Sequence, residues 1–183
     1  MSLGHAVLAA LLSGEASGYD LAKSFQASVA NFWVATPQQL YREVDRLEAA
    51  ALISGRLVEQ RGRPNKQVFT LTSAGRAHLV DFLGTPSRPT SIKDDLLVRL
   101  YALDSVDIGP LRADLMARLE HHRDRCARYE RILQKRFPDG TASPADIGKL
   151  LALRLGVRHE RVVVEWCEEA LQALPGSAAG QAT

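Results

Sequence analysis

Hydrophobic residues recur at helical spacing along most of this chain, which indicates a mainly α-helical protein. Leu3, Val7 and Leu11 repeat every four residues and form one apolar helical face. The stretch "SGEASG" ends this first helix, and Ser17 can cap a second helix that carries Leu21 on its apolar side. The pattern therefore predicts two short helices near the start of the chain.

A third helix is predicted most clearly, by the stretch "TPQQLYREVDRLEAAALI". Thr36 is a favourable N-cap, Pro37 suits the first helical position, and Gln39 completes a capping-box pattern. By their spacing, apolar side chains form the buried face of this helix, and they are Leu40, Val44, Leu47 and Ala51. The opposite, polar face carries Gln38, Gln39, Arg42 and Arg46.

A β-hairpin with a basic tip is predicted next. "RLVEQ" and "QVFTLT" are rich in β-branched and apolar residues, and "RGRPN" between them supplies glycine, proline and asparagine for a turn. Arg61, Arg63 and Lys66 place charge of one sign at this tip. Thr72 then caps a fourth helix. A charged tip can protect a sheet edge, but charge of a single sign favours a contact with phosphates.

A linker, residues 85–91, separates this first part from a wholly helical second part. Within residues 110–136, six positions lie alternately four and three residues apart, which is the spacing of a heptad seam. These seam positions are Leu115, Leu119, His122, Cys126, Tyr129 and Leu133. His121, His122 and Cys126 also suggest a metal site, but zinc usually takes four ligands, so the seam is the better interpretation.

The last helix is predicted to run from a cap at Ser143 to about Leu174, a length of roughly 45 Å. One face of it is apolar and carries Ile147, Leu151, Leu155, Val162, Trp166 and Ala170. A domain of this size cannot bury so long a helix by itself, which predicts packing against another subunit. We therefore expect Leu151, Leu155, Val162 and Trp166 in a dimer interface.

The order of three helices followed by a basic hairpin is that of a winged helix-turn-helix. The third helix of such a fold enters the DNA major groove, where glutamine can pair with adenine and arginine with guanine. Arg46 lies a turn deeper than Arg42, beside Glu43 and Asp45, and is expected to pair with acidic neighbours. Tyr19, Phe32 and Trp33 are expected in the core rather than in a ligand site.

Composition adds limits rather than a function. The 183 residues, 46% apolar and 24% charged with a net charge of +2, fit a soluble globular protein of one or two domains. Cys126 and Cys167 fit no metal or redox spacing, so reduced thiols and a cytoplasmic location are expected. The apolar run near residue 5 has no preceding Lys or Arg, which argues against a signal peptide, and we expect no membrane span.

Four blocks in order resemble the PadR family of bacterial transcriptional regulators. They are "LGHAVLAALL", "SGYDLAKSF", "FWVATPQQLYREVDRLEAAALI" and "GRPNKQVFTLTSAGRAHLVDFL". The second half resembles, more loosely, the helical C-terminal domain of longer members, best at "VVVEWCEEAL". The resemblance implies DNA contacts by Thr36, Gln38, Gln39, Tyr41, Arg42, Arg61, Arg63 and Lys66. Many members have glycine where Ala51 stands, and alanine there implies a helix that ends less sharply.

The resemblance also implies a homodimer that binds a double-stranded, near-palindromic DNA operator and usually represses a neighbouring gene. The C-terminal helices of such proteins make most of the dimer contact. In some members a small molecule, such as a phenolic acid or a hydrophobic drug, releases the DNA. We expect no cofactor and no membrane partner.

The predicted architecture is mainly α with a small β-hairpin. Its parts are a winged helix-turn-helix domain (1–84), a linker (85–91), a helical dimerisation domain (92–174) and a disordered tail (175–183). Two alternatives remain: a winged-helix module that binds protein without DNA, and a small-molecule-binding or redox enzyme in the helical half. No catalytic set of residues is visible in the sequence, which argues against an enzyme.

Overall fold

The computed structural model describes residues 3–25, 35–59, 65–87, 93–103 and 107–174. The chain forms two compact units, residues 1–88 and 89–183. The tail 175–183, and the side chains of Phe32 and Trp33, lie outside the described residues. No helix within the described part is both long enough and apolar enough to span a bilayer.

The described part of the first unit contains four α-helices, one 3₁₀ turn and three short strands. In chain order they are α1 (Leu3–Ala10), the turn Leu11–Ser13, β1 (Ala16–Ser17), α2 (Gly18–Ser24), α3 (Pro37–Ala49), β2 (Ile53–Val58), β3 (Lys66–Leu71) and α4 (Ser73–Leu83). The strands form an antiparallel sheet in the order β1-β3-β2, so β3 is central. This fold class, a winged helix followed by helices, is the predicted one. Strand β1 was not predicted, because two residues carry no readable pattern.

One apolar core holds the first unit together. The face of α3 that the spacing predicts is buried, with Leu40, Val44 and Leu47 no more than 2% exposed. Ala51 is the exception, since it lies beyond the helix and is exposed. Burial of each large aliphatic side chain stabilises the fold by about 1.5–3 kcal/mol. The whole cluster comprises Val7, Leu8, Leu11, Leu21, Phe25, Leu40, Val44, Leu47, Ile53, Phe69 and Leu79.

Three helices of this unit begin with the predicted side-chain caps. The hydroxyl of Ser17 accepts the Asp20 N–H at 3.1 Å, and the hydroxyl of Thr36 accepts the Gln39 N–H at 3.2 Å. Thr72 does the same for the N–H of Gly75 at 3.0 Å. Each cap satisfies an amide that has no partner within its helix, which is worth about 1 kcal/mol.

Helix α3 ends sharply, although alanine occupies position 51. Ala51 has φ +55°, the left-handed conformation that usually falls to glycine. Its N–H donates to the carbonyl of Glu48 at 2.8 Å, and the N–H of Leu52 donates to the carbonyl of Leu47 at 3.0 Å. These two bonds make a Schellman motif. The expectation of a less sharp helix end was therefore wrong, because the hydrogen bonds of the motif hold alanine in a strained conformation.

Helix α4 starts directly against this turn. The Thr72 hydroxyl lies 2.8 Å from the carbonyl oxygen of Ala51 and 3.0 Å from that of Leu52. A Cβ added to Gly75 would lie 1.9 Å from the Leu52 oxygen, so only glycine fits here. The end of α3, the start of the hairpin and the start of α4 thus share one junction.

The described part of the second unit contains three helices, α5 (Asp95–Tyr101), α6 (Ile108–Arg136) and α7 (Ile147–Ala173). The start of α7 differs from the prediction. Ser143 does not cap it, because residues 143–146 form a turn in which the Asp146 N–H donates to the Ser143 carbonyl at 2.9 Å. The helix begins after Asp146, whose carboxylate pairs with Lys149 at 2.8 Å.

Helices α6 and α7 pack along the predicted seam. Leu115, Leu119 and Tyr129 are buried, and the other three seam positions are half-buried. The seam holds two apolar clusters rather than one. One surrounds Leu115 and Cys167, and the other surrounds Tyr129 and Val157.

Candidate nucleic-acid interface

The polar face of α3 is the central feature of the candidate site. Gln38, Gln39, Tyr41 and Arg42 are all exposed, on the side of the helix away from the core. Within the part of the chain that the structure describes, the side chains of Gln38 and Arg42 make no hydrogen bond or ion pair. Amide and guanidinium groups of this kind are the ones that read adenine and guanine in the major groove.

Two of the predicted contact residues hold the start of the helix. The side-chain oxygen of Gln39 accepts the Thr36 N–H at 2.9 Å, while the Thr36 hydroxyl accepts the Gln39 N–H. This reciprocal pair is a complete capping box. The oxygen of Gln39 is therefore occupied, and its amide N–H groups are the part that remains for another partner.

Arg46 forms the internal pair that the sequence predicts. Its guanidinium donates to the Glu43 carboxylate through Nε at 3.1 Å and through a terminal nitrogen at 2.5 Å. The two hydrogen bonds with Glu43 also raise the pKa of Arg46. The charge of Arg46 is thereby compensated within its own helix, which separates it from Arg42.

Tyr41 joins α3 to the start of α2. A Cβ on Gly18 would lie 2.6 Å from the Cε1 atom of Tyr41, so the ring packs directly on the Gly18 backbone. Tyr41 is nevertheless 45% exposed. Tyr19 is more exposed still, at 69%, so the expectation that it lies in the core was wrong. Position 19 follows the cap of α2 and faces away from Leu21, which fills the core.

The hairpin carries its described cations close to acidic partners. Lys66 lies at the start of β3, with its ammonium 3.7 Å from the Asp20 carboxylate, and Arg56 on β2 pairs with Glu15 at 2.7 Å. Arg61 and Arg63 lie outside the described residues. Pairs between exposed side chains are worth little, so both cations can exchange these partners for a phosphate.

Asp20 has a second role that lowers its pKa. The Ser17 hydroxyl donates to its carboxylate at 2.7 Å, and the Ser17 N–H donates at 3.2 Å. These bonds hold the pKa of Asp20 below its ordinary value, with a smaller contribution from Lys66. Sequence reasoning missed Glu15 and Asp20, because they reach the hairpin only through β1, where Ala16 pairs with Phe69.

A further carboxylate that the sequence analysis missed lies between α3 and the hairpin. Glu48, in the last turn of α3, accepts the Gly55 N–H at 2.9 Å. The side-chain amide of Gln67 lies 3.3 Å and 3.4 Å from its two oxygens. No local pattern predicts this contact, because 7 and 19 residues separate Glu48 from its partners.

The predicted dimer residues lie on the outer side of α7. Leu151, Leu155 and Val162 are 56%, 69% and 62% exposed, although all three are large and apolar. Trp166 differs, since it is half-buried and packs against the cluster around Cys167. The inner side of α7, which contacts α6, was not predicted, and it is lined by Leu150, Leu153, Gly156, Val157, Glu160 and Cys167.

No group of three or more metal-binding side chains occurs among the described residues. His122 instead places Nδ1 2.5 Å from the Glu160 carboxylate, in the seam. The other oxygen of Glu160 lies 3.1 Å from the Arg125 guanidinium. His122 and Cys126 thus belong to helix packing.

Comparisons with known proteins cover both units. Residues 7–81 match the transcriptional regulator PadR-like family, and residues 92–175 match the family described as virulence activator alpha C-term. The chain is 32% identical over 185 residues to the probable transcriptional regulator Rv1176c of Mycobacterium tuberculosis (strain ATCC 25618 / H37Rv). That match covers 95% of this chain and 98% of the relative.

Two further proteins are similar over almost the whole chain. The negative transcriptional regulator PadR of Bacillus subtilis (strain 168) is 30% identical over 92% of this chain and 95% of its own. Its crystal structure with operator DNA has a TM-score of 0.75 at 27% identity, and the match covers 93% of this chain and 97% of that one. Its crystal structure with p-coumaric acid has a TM-score of 0.70 at 26% identity, and the match covers 93% of this chain and 96% of that one. The virulence activator AphA of Vibrio cholerae has a TM-score of 0.75 at 27% identity, covering 93% and 96%.

Both curated relatives are named as transcriptional regulators, not as enzymes. The family match and the full-length similarity agree with the winged-helix unit and with the exposed polar face of α3. This chain belongs to the PadR-like family of transcriptional regulators.

Proposed function

We propose that this protein is a homodimeric repressor that binds a double-stranded DNA operator in a sequence-specific manner. The observation that carries the proposal is the outer face of α3, where the side chains of Gln38 and Arg42 are exposed and have no partner among the described residues. The capping box fixes the start of this helix, so both side chains are presented on a rigid element. The relative PadR of Bacillus subtilis, solved with operator DNA, supports the same role.

The proposal divides the DNA contacts into two groups. Arg42 and Gln38 read base edges in the major groove, while Arg61, Arg63 and Lys66 hold the phosphate backbone. Beside Gln38 and Arg42 lie Thr36, Gln39 and Tyr41. In this proposal Tyr41 and the side-chain N–H groups of Gln39 contact the phosphate backbone of the DNA. Base contacts set sequence preference, whereas phosphate contacts set the salt dependence.

Fluorescence anisotropy tests this division. The protein would be titrated into labelled DNA from upstream of its own gene and into a scrambled duplex, at two salt concentrations. Arg42→Ala should reduce the preference for the native duplex, by about 1–3 kcal/mol. Arg61→Ala or Arg63→Ala should weaken binding to both duplexes and lower the salt slope by about 0.9 per lost phosphate contact. Identical behaviour of the two classes of variant would contradict the division, and no binding to any DNA would favour a protein-interaction module.

The proposed dimer forms through the outer face of α7. Leu151, Leu155 and Val162 expose apolar area that a single chain leaves in water. Burial of about 25 cal/mol per Å² of such area stabilises association. A dimer also matches the near-palindromic operator, because a two-fold protein places two reading helices on two half-sites.

The final part of the proposal is release of DNA by a small aromatic or hydrophobic effector. Support comes from the p-coumaric acid complex of the Bacillus subtilis relative. Addition of aromatic carboxylic acids to the preformed protein–DNA complex should lower the anisotropy. A regulator of this kind acts in the cytoplasm, where its operator lies.

A further inference from the structure

The recognition helix and the hairpin are joined by a short connection. Helix α3 ends at Ala49 and β2 begins at Ile53, so the direction of the hairpin depends on how the two elements are held together. Strand β2 lies at the edge of the sheet, with β3 on one side only. An edge strand of this kind has backbone groups without a strand partner.

Glu48 spans this junction. Its carboxylate accepts the Gly55 N–H on β2 at 2.9 Å and lies 3.3 Å from the Gln67 side-chain amide on β3. One group on the recognition helix thus holds both strands of the hairpin. Hydrogen bonds to a charged acceptor are stronger than neutral ones.

The contact requires glycine at position 55. A Cβ there would lie 2.3 Å from a carboxylate oxygen of Glu48 and 2.4 Å from the amide nitrogen of Gln67. The Phe69 ring lies 3.1 Å from the same point. The side chains of Glu48, Gln67 and Phe69 therefore occupy the space that a side chain at position 55 would need, so the contact depends on glycine at that position.

We propose that Glu48 is a positioning residue for DNA recognition, which fixes the hairpin relative to α3 so that both reach one DNA surface. The inference rests on the proposed function. Glu48 touches no DNA in this scheme and acts through Gly55 and Gln67. In this scheme it fixes the direction of β2 and β3, which carry Arg56 and Lys66, relative to α3, which carries Arg42.

Because Glu48 is negatively charged, the proposal predicts the direction in which its removal changes the affinity for DNA. Removal of any carboxylate near DNA should by itself strengthen binding, since it removes repulsion from phosphates. Loss of the contact with the hairpin should weaken binding. Glu43 supplies the matched control, because it is an acid of the same helix that pairs with Arg46 and not with the hairpin.

The experiment uses the full-length variants Glu48→Ala, Glu48→Gln and Glu43→Ala. Hydrogen exchange of the Gly55 amide is measured by NMR without DNA, and operator binding by anisotropy at two salt concentrations. For Glu48→Ala we expect faster exchange at Gly55, an affinity about tenfold lower and a shallower salt slope. Glu48→Gln keeps an acceptor oxygen, so it should retain slow exchange and operator affinity within about twofold of the wild type.

Glu43→Ala should leave the Gly55 exchange unchanged and bind the operator as well as the wild type or better. Unchanged exchange at Gly55 in Glu48→Ala would overturn the proposal, and so would tighter binding by both alanine variants. Should Glu48→Ala not fold, Gln67→Ala removes one of the two contacts without changing charge, and the proposal requires a smaller loss of the same kind.

Failure of the proposed function gives a different result. A wild-type protein that binds neither the native nor the scrambled duplex would remove the DNA-binding role of Glu48 together with that function. The Gly55 exchange would still decide whether Glu48 holds the hairpin, because that measurement contains no DNA.

Discussion

The two units of the chain enclose their apolar residues in different ways. The first wraps four helices and a sheet around one core, with Leu40, Val44 and Leu47 almost fully buried. The second packs two long helices along a seam, in which the buried Glu160 lies with His122 and Arg125. It leaves Leu155, 69% exposed, on its outer side. The first unit therefore buries the apolar face of α3 in its core, whereas the second leaves an apolar face of α7 exposed.

The difference follows from geometry. Short helices at varied angles can surround a core, but a helix of 27 residues, about 40 Å long, offers more side than one neighbouring helix covers. Its exposed apolar face marks where a second copy fits in the proposed dimer. In the same proposal, the first unit uses polar exposed side chains for DNA, and the second uses apolar ones for protein.

The largest expected effect is on the proposed dimer. Leu155→Glu places a charge on the outer face of α7, and two-fold symmetry places it there twice. We expect association to weaken by about 4 kcal/mol, roughly a thousandfold in the dimer dissociation constant. Sedimentation equilibrium measures this directly. Val80→Glu, at an exposed apolar position of the first unit, is the control and should leave the dimer intact. Dimers of unchanged stability in Leu155→Glu would show that α7 is covered otherwise.

The next effect is on the seam of the second unit. Glu160→Ala leaves Arg125 and His122 without their partner, and removal of one member of a buried pair is strongly destabilising. We expect the free energy of unfolding to fall by about 3 kcal/mol in urea titrations followed by circular dichroism. Glu165→Ala, an exposed glutamate of the same helix, should change it by less than about 0.5 kcal/mol. Equal effects of the two substitutions would mean that the contacts of Glu160 with His122 and Arg125 do not add to the free energy of unfolding.

A smaller effect, of opposite sign, is expected in the first unit. Ala51→Gly relieves the left-handed conformation at φ +55°, which costs an L-residue about 1–2 kcal/mol. Glycine also gains entropy in the unfolded chain, so the net stabilisation should be about 1 kcal/mol. Thermal unfolding measures it, with Ala77→Gly, at an exposed position in the interior of α4, as a control that should destabilise by a similar amount. A destabilising Ala51→Gly would contradict the assigned strain.

The smallest effect is an acid sensitivity in the second unit. The hydrogen bonds from Arg118 hold the pKa of Asp94 below its ordinary value, and both side chains are about a quarter exposed. A lowered pKa contributes stability that is complete above the unfolded value, near pH 4, and is lost as the pH falls through the folded value. Asp94→Asn should therefore remove up to about 1 kcal/mol at neutral pH and reduce the loss of stability in acid. Asp95→Asn, next to it and exposed, should leave the acid profile unchanged.

The sequence predicted those features that follow from neighbours along the chain. The caps at Ser17, Thr36 and Thr72 and the buried face of α3 depend on spacings of three or four residues, and the structure has them. What the sequence could not show depends on residues far apart. Glu160 occupies a helical position at which glutamate is usually exposed, and its burial depends on His122 and Arg125, which lie on the other long helix.

The candidate site divides along the same line. The helical periodicity predicted which side of α3 is exposed, because that side follows from the spacing of Leu40 and Val44. The partners of Lys66 and Arg56 were not predictable, since Asp20 and Glu15 approach them across the sheet. The expected end of α3 at Ala51 was wrong for a related reason, because hydrogen bonds of the turn outweigh the preference of alanine.

The acidic partners of the hairpin also affect how many phosphate contacts would be inferred from the salt dependence of DNA binding. Arg56 and Lys66 are already neutralised by carboxylates in the free protein, so they hold few chloride ions. When a phosphate replaces Glu15 or Asp20, the displaced carboxylate takes up a cation from the solution. That uptake offsets the cation that the phosphate releases. The net ion release at these two positions is then smaller than at a cation with no acidic partner, and the salt dependence of binding would report fewer phosphate contacts than the complex contains.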